Sequence, residues 1–228
     1  MIYAVILLFQ QISLFHEWLE DESIKLPPNT KDPDTLTWKF KLSIKSVTTS
    51  HFIPDKLKRN LQSELTTIFF FHGGGYTHFT ENTYEKLCLK LAELLNVQIF
   101  SIEYGLAPEN AYPGVLDDCL AVVKTLLENS EEHRINLENY SLLGDSAGGD
   151  LVLWVAVELA KLLKAGLNTG INNNGVSFNW PRPVMASSLY PCGHTFIYDY
   201  FPASRMDKGV LQGGFSRMSY LRADCRAQ

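Results

Sequence analysis

Tyr140-Ser141-Leu142-Leu143-Gly144-Asp145-Ser146-Ala147-Gly148-Gly149 is the stretch from which the rest of the chain is read. Leu142 and Leu143 end a short apolar run with the character of a buried strand. Gly144 to Gly148 fits G-x-S-x-G, and the apolar helical run Leu151 to Leu163 follows at once. Strand, tight turn and helix are the context in which this pentapeptide presents a nucleophile. Gly144 and Gly148 have no Cβ, so the chain can turn sharply and bring helix close to strand. Ser146 is expected at the strained corner with its hydroxyl exposed. The amide of Ala147 is expected at the helix N-terminus, where free N–H groups and the positive end of the dipole favour an anion. Taken alone, the pentapeptide fits a plain Gly-rich connection equally well.

A second motif decides between those readings. Thr66-Thr67-Ile68-Phe69-Phe70-Phe71, a β-branched and aromatic run, reads as a buried strand and ends in His72-Gly73-Gly74-Gly75. Loops of the HGGG type accompany G-x-S-x-G in lipases and esterases. Consecutive glycines let backbone N–H groups approach a developing oxyanion. A phosphate loop is the competing reading, but no Gly-Lys-Ser/Thr follows. The candidate site is therefore Ser146 as nucleophile, with an oxyanion hole drawn from His72, Gly73, Gly74, Gly75 and Ala147.

A third stretch, Val97 to Glu103, reads as another strand and runs into Tyr104-Gly105-Leu106-Ala107-Pro108-Glu109 and Tyr112-Pro113. With these three motifs in this order, the chain resembles the hormone-sensitive-lipase-like branch of the α/β-hydrolases, which includes arylacetamide deacetylases and neutral cholesterol ester hydrolases. The resemblance covers roughly residues 30–192. It implies an α/β-hydrolase fold: a mostly parallel central sheet, helices on both faces and an N-terminal cap helix. It also implies a carboxylic ester hydrolase working through an acyl-enzyme on a small ester or acylated substrate, with no cofactor and no metal. Two departures stand out. The Arg usual after the motif's Tyr is Gly105, which puts a pairing that fixes this loop in doubt, and the Asn usual after Gly-Gly is Asp150.

Composition agrees with one α/β domain. A chain of 228 residues, 46% apolar, can bury a sizeable core and is not of the disordered class. A net charge of −5 without a basic cluster argues against a nucleic-acid partner. Cys88, Cys119, Cys192 and Cys225 show no metal-ligand spacing. Cys88 and Cys119 fall on apolar helical faces and read as buried free thiols. The sequon Asn139-Tyr140-Ser141 abuts the nucleophile strand and reads as a chance match rather than a glycosylation site.

Three regions are expected: 1–34, an N-terminal cap helix and linker; 35–192, the hydrolase core; and 193–228, a tail without recognisable pattern. Ile2 to Phe9 is too short an apolar run to span a bilayer, and no Lys or Arg precedes Lys25. Residues 2–20 read as an amphipathic cap helix, with a membrane-associated helix as the alternative. Thr35 to Lys45 alternates in part, placing Leu36, Trp38, Phe40, Leu42 and Ile44 on the apolar face of a half-exposed strand. A weaker strand follows over Val47 to Ile53, then a charged loop over Pro54 to Ser63. Thr80 is expected to cap a helix whose apolar face is Tyr84, Leu87, Cys88, Leu91, Leu94 and Leu95. Pro113 opens another with a stripe from Val115 to Leu126. Leu167 to Asn179 reads as a loop and Val184 to Tyr190 as the last strand.

The triad is where the enzyme reading stops. A serine needs a base, and the base an orienting carboxylate, in the order Ser, Asp/Glu, His for this fold. The resembling family places both after two further strands, yet the one histidine after Ser146 is His194. Asp150 and Glu158 lie on the helix, and Asp199, Asp207 and Asp224 follow His194. The expectation is an esterase lacking the last strands of its fold, truncated, inactive or weak as this chain, with a free edge on its final strand. A non-catalytic small-ligand module of the same fold is the alternative.

Overall fold

The computed structural model describes residues 27–60, 63–110, 112–164, 169–171, 177–179, 181–189 and 219–221. The expected cap helix over 2–20, Cys192, Cys225 and most of the tail lie outside them.

Among the described residues, strands and helices follow in the order β1 (Thr30–Lys31), β2 (Thr37–Ile44), β3 (Val47–Pro54), α1 (Asp55–Arg59), β4 (Leu65–Phe71), α2 (Glu85–Leu95), β5 (Gln98–Glu103), α3 (Gly114–Glu128), α4 (Ser130–His133), β6 (Ile135–Asp145), α5 (Ala147–Lys164), β7 (Thr169–Ile171), β8 (Ser177–Asn179), β9 (Met185–Leu189) and β10 (Ser219–Leu221). Eight strands form one sheet in the order β1-β2-β3-β5-β4-β6-β9-β10. The central four, β5, β4, β6 and β9, run parallel. Antiparallel strands flank them on both sides.

Two cores follow from the alternation of side chains. On one face Phe52, Ile68, Phe70, Ile99 and Leu143 pack against α2. On the other, Phe69, Phe71, Phe100, Ile102 and Leu142 pack against α3 and α5. Strands buried on both faces carry unbroken apolar runs, and Phe69-Phe70-Phe71 shows why: Phe69 and Phe71 serve one core, Phe70 the other. Cys88 and Cys119 are buried free thiols, and burial raises both thiol pKa values above the usual range.

Several expectations are corrected. The stretch 54–63 holds the short helix α1 rather than only loop, and 167–179 holds the small antiparallel pair β7–β8. The helix expected from Thr80 starts at Glu85, because Glu81 is drawn out of helical register by other partners: its backbone N–H donates to Glu103 (2.5 Å) and its carboxylate takes Ser50 Oγ (2.7 Å) and Lys41 (2.6 Å). Leu94, assigned to that helix's apolar face, is 61% exposed. The free edge expected on the final strand is covered by β10, which pairs Ser219–Leu221 with Ser188–Ala186.

The chain leaves β4 through α2 on one face and leaves β6 through α5 on the other. At such a reversal the loops after adjacent strands diverge and open a crevice at the carboxyl ends of the strands. That crevice is where the two glycine motifs stand.

Candidate active site

β6 carries the first motif to the sheet's carboxyl edge. Ser146 sits between β6 and α5 with φ +49°, a left-handed conformation that costs a non-glycine residue roughly 1–2 kcal/mol. It is half-buried, and its carbonyl accepts the amides of Gly149 (2.9 Å) and Asp150 (3.2 Å), opening the hydrogen bonding of α5. Ala147, the first helical residue, is fully buried. The elbow stands hard against the neighbouring strand: a Cβ on Gly148 would lie 2.1 Å from the Phe71 carbonyl oxygen, and one on Gly144 would lie 2.5 Å from that of Gly148.

β4 brings the second motif alongside, with Phe71 in register with Gly144. The loop then turns on Gly74 (φ +115°) and Gly75 (φ +61°). The Gly74 carbonyl accepts the amides of Thr77 (3.2 Å) and His78 (2.9 Å), and Gly75 faces open space. The amide of Gly73 donates to Asp145 Oδ1 (3.0 Å), whose other oxygen takes the Tyr84 hydroxyl (2.8 Å). The His72 ring is buried beneath the loop, bonded through Nδ1 to the Gly73 carbonyl (2.7 Å) and stacked on Tyr104 with centroids 4.2 Å apart. Tyr104 also donates to the His72 carbonyl (2.5 Å).

The far end of the loop is tied to the nucleophile helix. Tyr76 donates its hydroxyl to Asp150 (3.1 Å) and accepts the amide of Ala107 (2.8 Å). Gly105 has an anchor of its own: Asp118 accepts both its amide (3.0 Å) and the side-chain amide of Asn110 (2.7 Å). The Asn110 side chain fills the space beside Gly105, where a Cβ would lie 2.4 Å from Asn110 Nδ2. Sequence reading missed Tyr84, Asn110 and the roles of Asp145 and Tyr76. Asp145 was inside the pentapeptide, but as its variable position, and Tyr84 read as one member of an apolar stripe.

Burial holds the His72 imidazole down at about 4, so it is neutral at pH 7. The unfolded chain binds that proton near 6.5, the folded chain only near 4, so the unfolded state gains a proton first as pH falls. Stability from this group is whole above pH 6.5 and is lost between pH 6.5 and 4, by roughly 3 kcal/mol. Urea unfolding at pH 7 and pH 4 should show a smaller drop for His72→Asn than for the parent; parallel pH dependences would refute a buried neutral His72.

Of the other described histidines, two stand away from the motifs and one follows the glycine loop. His51 stacks on Phe100 and bonds Gln98 at the amino end of β5, and the His133 carbonyl also takes Gln98 (3.2 Å). His78 is exposed, on the loop after Gly75, with Nδ1 bonded to Thr77 Oγ1 (2.7 Å). His194 and Asp199 lie outside the described residues.

Comparison with known proteins places the chain. A sequence profile of the alpha/beta hydrolase fold matches residues 68–199. The chain belongs to the α/β-hydrolase family. Within it, the chain is 30% identical over 147 residues to an ethyl acetate hydrolase of Pseudomonas putida, covering 62% of this chain and 44% of that one. It is 38% identical over 97 residues to gibberellin receptor GID1C of Arabidopsis thaliana, 40% of this chain and 27% of that one. Among solved structures, the Francisella virulence factor BioJ superposes with TM-score 0.52 at 30% identity, over 65% of this chain and 46% of that one. Carboxyl esterase 2 of Tuber melanosporum gives 0.55 at 25% identity, over 79% and 56%. The chain thus spans less than half the length of these curated relatives.

Proposed function

We propose that the described residues hold the nucleophile and oxyanion half of a serine carboxylic-ester hydrolase. The observation that carries this is the left-handed Ser146 on β6, in register beside a glycine loop on β4. Ser146 Oγ attacks the carbonyl of a small ester. The amides of Gly74, Gly75 and Ala147 hold the oxyanion, each worth roughly 3–4 kcal/mol when removed. The alcohol leaves, and water hydrolyses the acyl-enzyme. The order of HGGG, Tyr104 to Glu109 and GDSAGG supports assignment to the hormone-sensitive-lipase-like branch, near arylacetamide deacetylases.

This 228-residue chain turns esters over weakly or not at all in our reading. Attack requires a base for the Ser146 proton. Among the described histidines, His72 is committed to the Gly73 carbonyl with its basicity suppressed, His78 is bonded through Nδ1 to its neighbour Thr77, and His51 and His133 sit at the opposite edge of the sheet. An oxyanion hole without base retains only about 10³–10⁴-fold over water.

The match to a gibberellin receptor favours a second reading, a module that binds a small hydrophobic ester or acid without turning it over. Amides that hold an oxyanion hold a carboxylate by the same chemistry. The test joins turnover of p-nitrophenyl acetate to thermal melting with a panel of short esters and acids. Turnover near buffer, unchanged by Ser146→Ala, with a raised melting temperature for some acid or ester supports the module. Turnover abolished by both Ser146→Ala and His194→Ala restores a working enzyme. Neither turnover nor a melting shift counts against both readings.

A further inference from the structure

We propose that Tyr84 is a positioning residue for the oxyanion loop, acting through Asp145 on the amide of Gly73; the inference rests on the ester-hydrolase reading of that loop. Tyr84 lies outside both glycine motifs, 61 residues from Asp145 in sequence, and is fully buried where the chain enters α2. Its hydroxyl donates to Asp145 Oδ2 (2.8 Å), while Oδ1 of the same carboxylate, 4% exposed, accepts Gly73 N–H (3.0 Å). The three groups are in close packing: a Cβ on Gly73 would lie 2.6 Å from Asp145 Oδ2 and 2.9 Å from the Tyr84 hydroxyl.

The consequence is a division of labour among the loop amides. Gly73 N–H is turned inward to the carboxylate, so the amides left to face the crevice are those of Gly74 and Gly75. Because Asp145 immediately precedes Ser146, the same side chain sets the spacing between nucleophile and oxyanion donors. Tyr84 fixes which way the carboxylate faces by donating to Oδ2, and its own ring is held in place against Phe70 and Phe79. Taking one donor from a buried carboxylate is costly, so the carboxylate reorients and releases Gly73. Pre-set donors are what an oxyanion hole requires.

The test uses the whole chain labelled with ¹³C′-histidine and ¹⁵N-glycine. His72-Gly73 is the one His-Gly step in the sequence, so the Gly73 amide is identified without further assignment. In Tyr84→Phe, which keeps the ring and its packing, the Gly73 amide proton should move upfield and exchange about tenfold faster or more, while other glycine amides keep their rates. Asp145→Asn, which retains an acceptor oxygen, should keep the Gly73 signal near its parent position; Asp145→Ala should lose it. An unmoved Gly73 amide in Tyr84→Phe, or a uniform rise in exchange across all glycines, overturns the proposal. Fluorophosphonate labelling is scored separately: labelling of the parent that persists undiminished in Ser146→Ala counts against the ester-hydrolase reading, with the Gly73 amide still deciding the role of Tyr84.

Discussion

Gly148→Ala should cost the fold about 3 kcal/mol or more, although alanine is the better helix former. Gly148 lies in the first turn of α5, and intrinsic helix propensity alone predicts a gain of about 1 kcal/mol for the exchange. The contacts decide otherwise. A Cβ there would stand 2.1 Å from the carbonyl oxygen of Phe71 and 2.6 Å from that of His72. Both are backbone atoms at or just past the end of a central strand whose side chains, Thr66 apart, are buried, so neither can yield without dragging β4 from its neighbours. Relief requires α5 to tilt outward, which opens the core it shares with α3 and separates Ser146 from the glycine loop. Urea unfolding of the parent and the variant measures the difference; a variant within 1 kcal/mol of the parent would show that the close approach of α5 to β4 is absent in solution.

The glycine-marked parts of the fold were legible because their signals are local. HGGG and GDSAG each compress strand, turn and helix start into a few residues, and the apolar runs beside them show which strands are buried on both faces. The order of strands and helices then led to a parallel centre with helices on both sides. What was not legible depends on partners far apart in sequence. Thr80 to Tyr84 carried a reasonable helix start, and the structure spends those residues on Ser50, Glu103 and Asp145. Gly105 read as the loss of a loop anchor, and Asn110 with Asp118 supplies one through contacts that no local pattern shows. The half-exposed strand expected over Thr35 to Lys45 begins at Thr37, leaving Leu36 before it and 53% exposed, while Lys39, on the face opposite Trp38 and Phe40, is 1% exposed. Alternation identifies two faces; which one is covered depends on where α2 lands.

Lys39 provides the second large expected effect. It reaches from β2 to Glu85 at the start of α2, with Nζ 2.5 Å from Oε2 and both side chains essentially out of solvent. Lys39→Met should lower stability by about 3–5 kcal/mol, because it leaves the Glu85 carboxylate buried without its cation. Glu85→Leu should cost a similar amount by stranding the ammonium. Changing both together should restore most of the loss, since two apolar side chains of similar volume need no desolvation of charge. A double-mutant cycle in urea measures the coupling directly. Each single change costing under 1 kcal/mol would mean that water reaches the pair. The position of the pair extends the argument to the site. Glu85 follows Tyr84, and Lys39 faces Phe52 across the β2–β3 ladder, so the ion pair fixes the first turn of α2 against the edge of the sheet. Losing it frees the segment that holds Tyr84 against Asp145. The single variants should therefore also speed exchange of the Gly73 amide, and the double variant should slow it again. Recovery of stability without recovery at Gly73 would separate the two, and would show that the loop takes its position from Asp145 independently of where α2 begins.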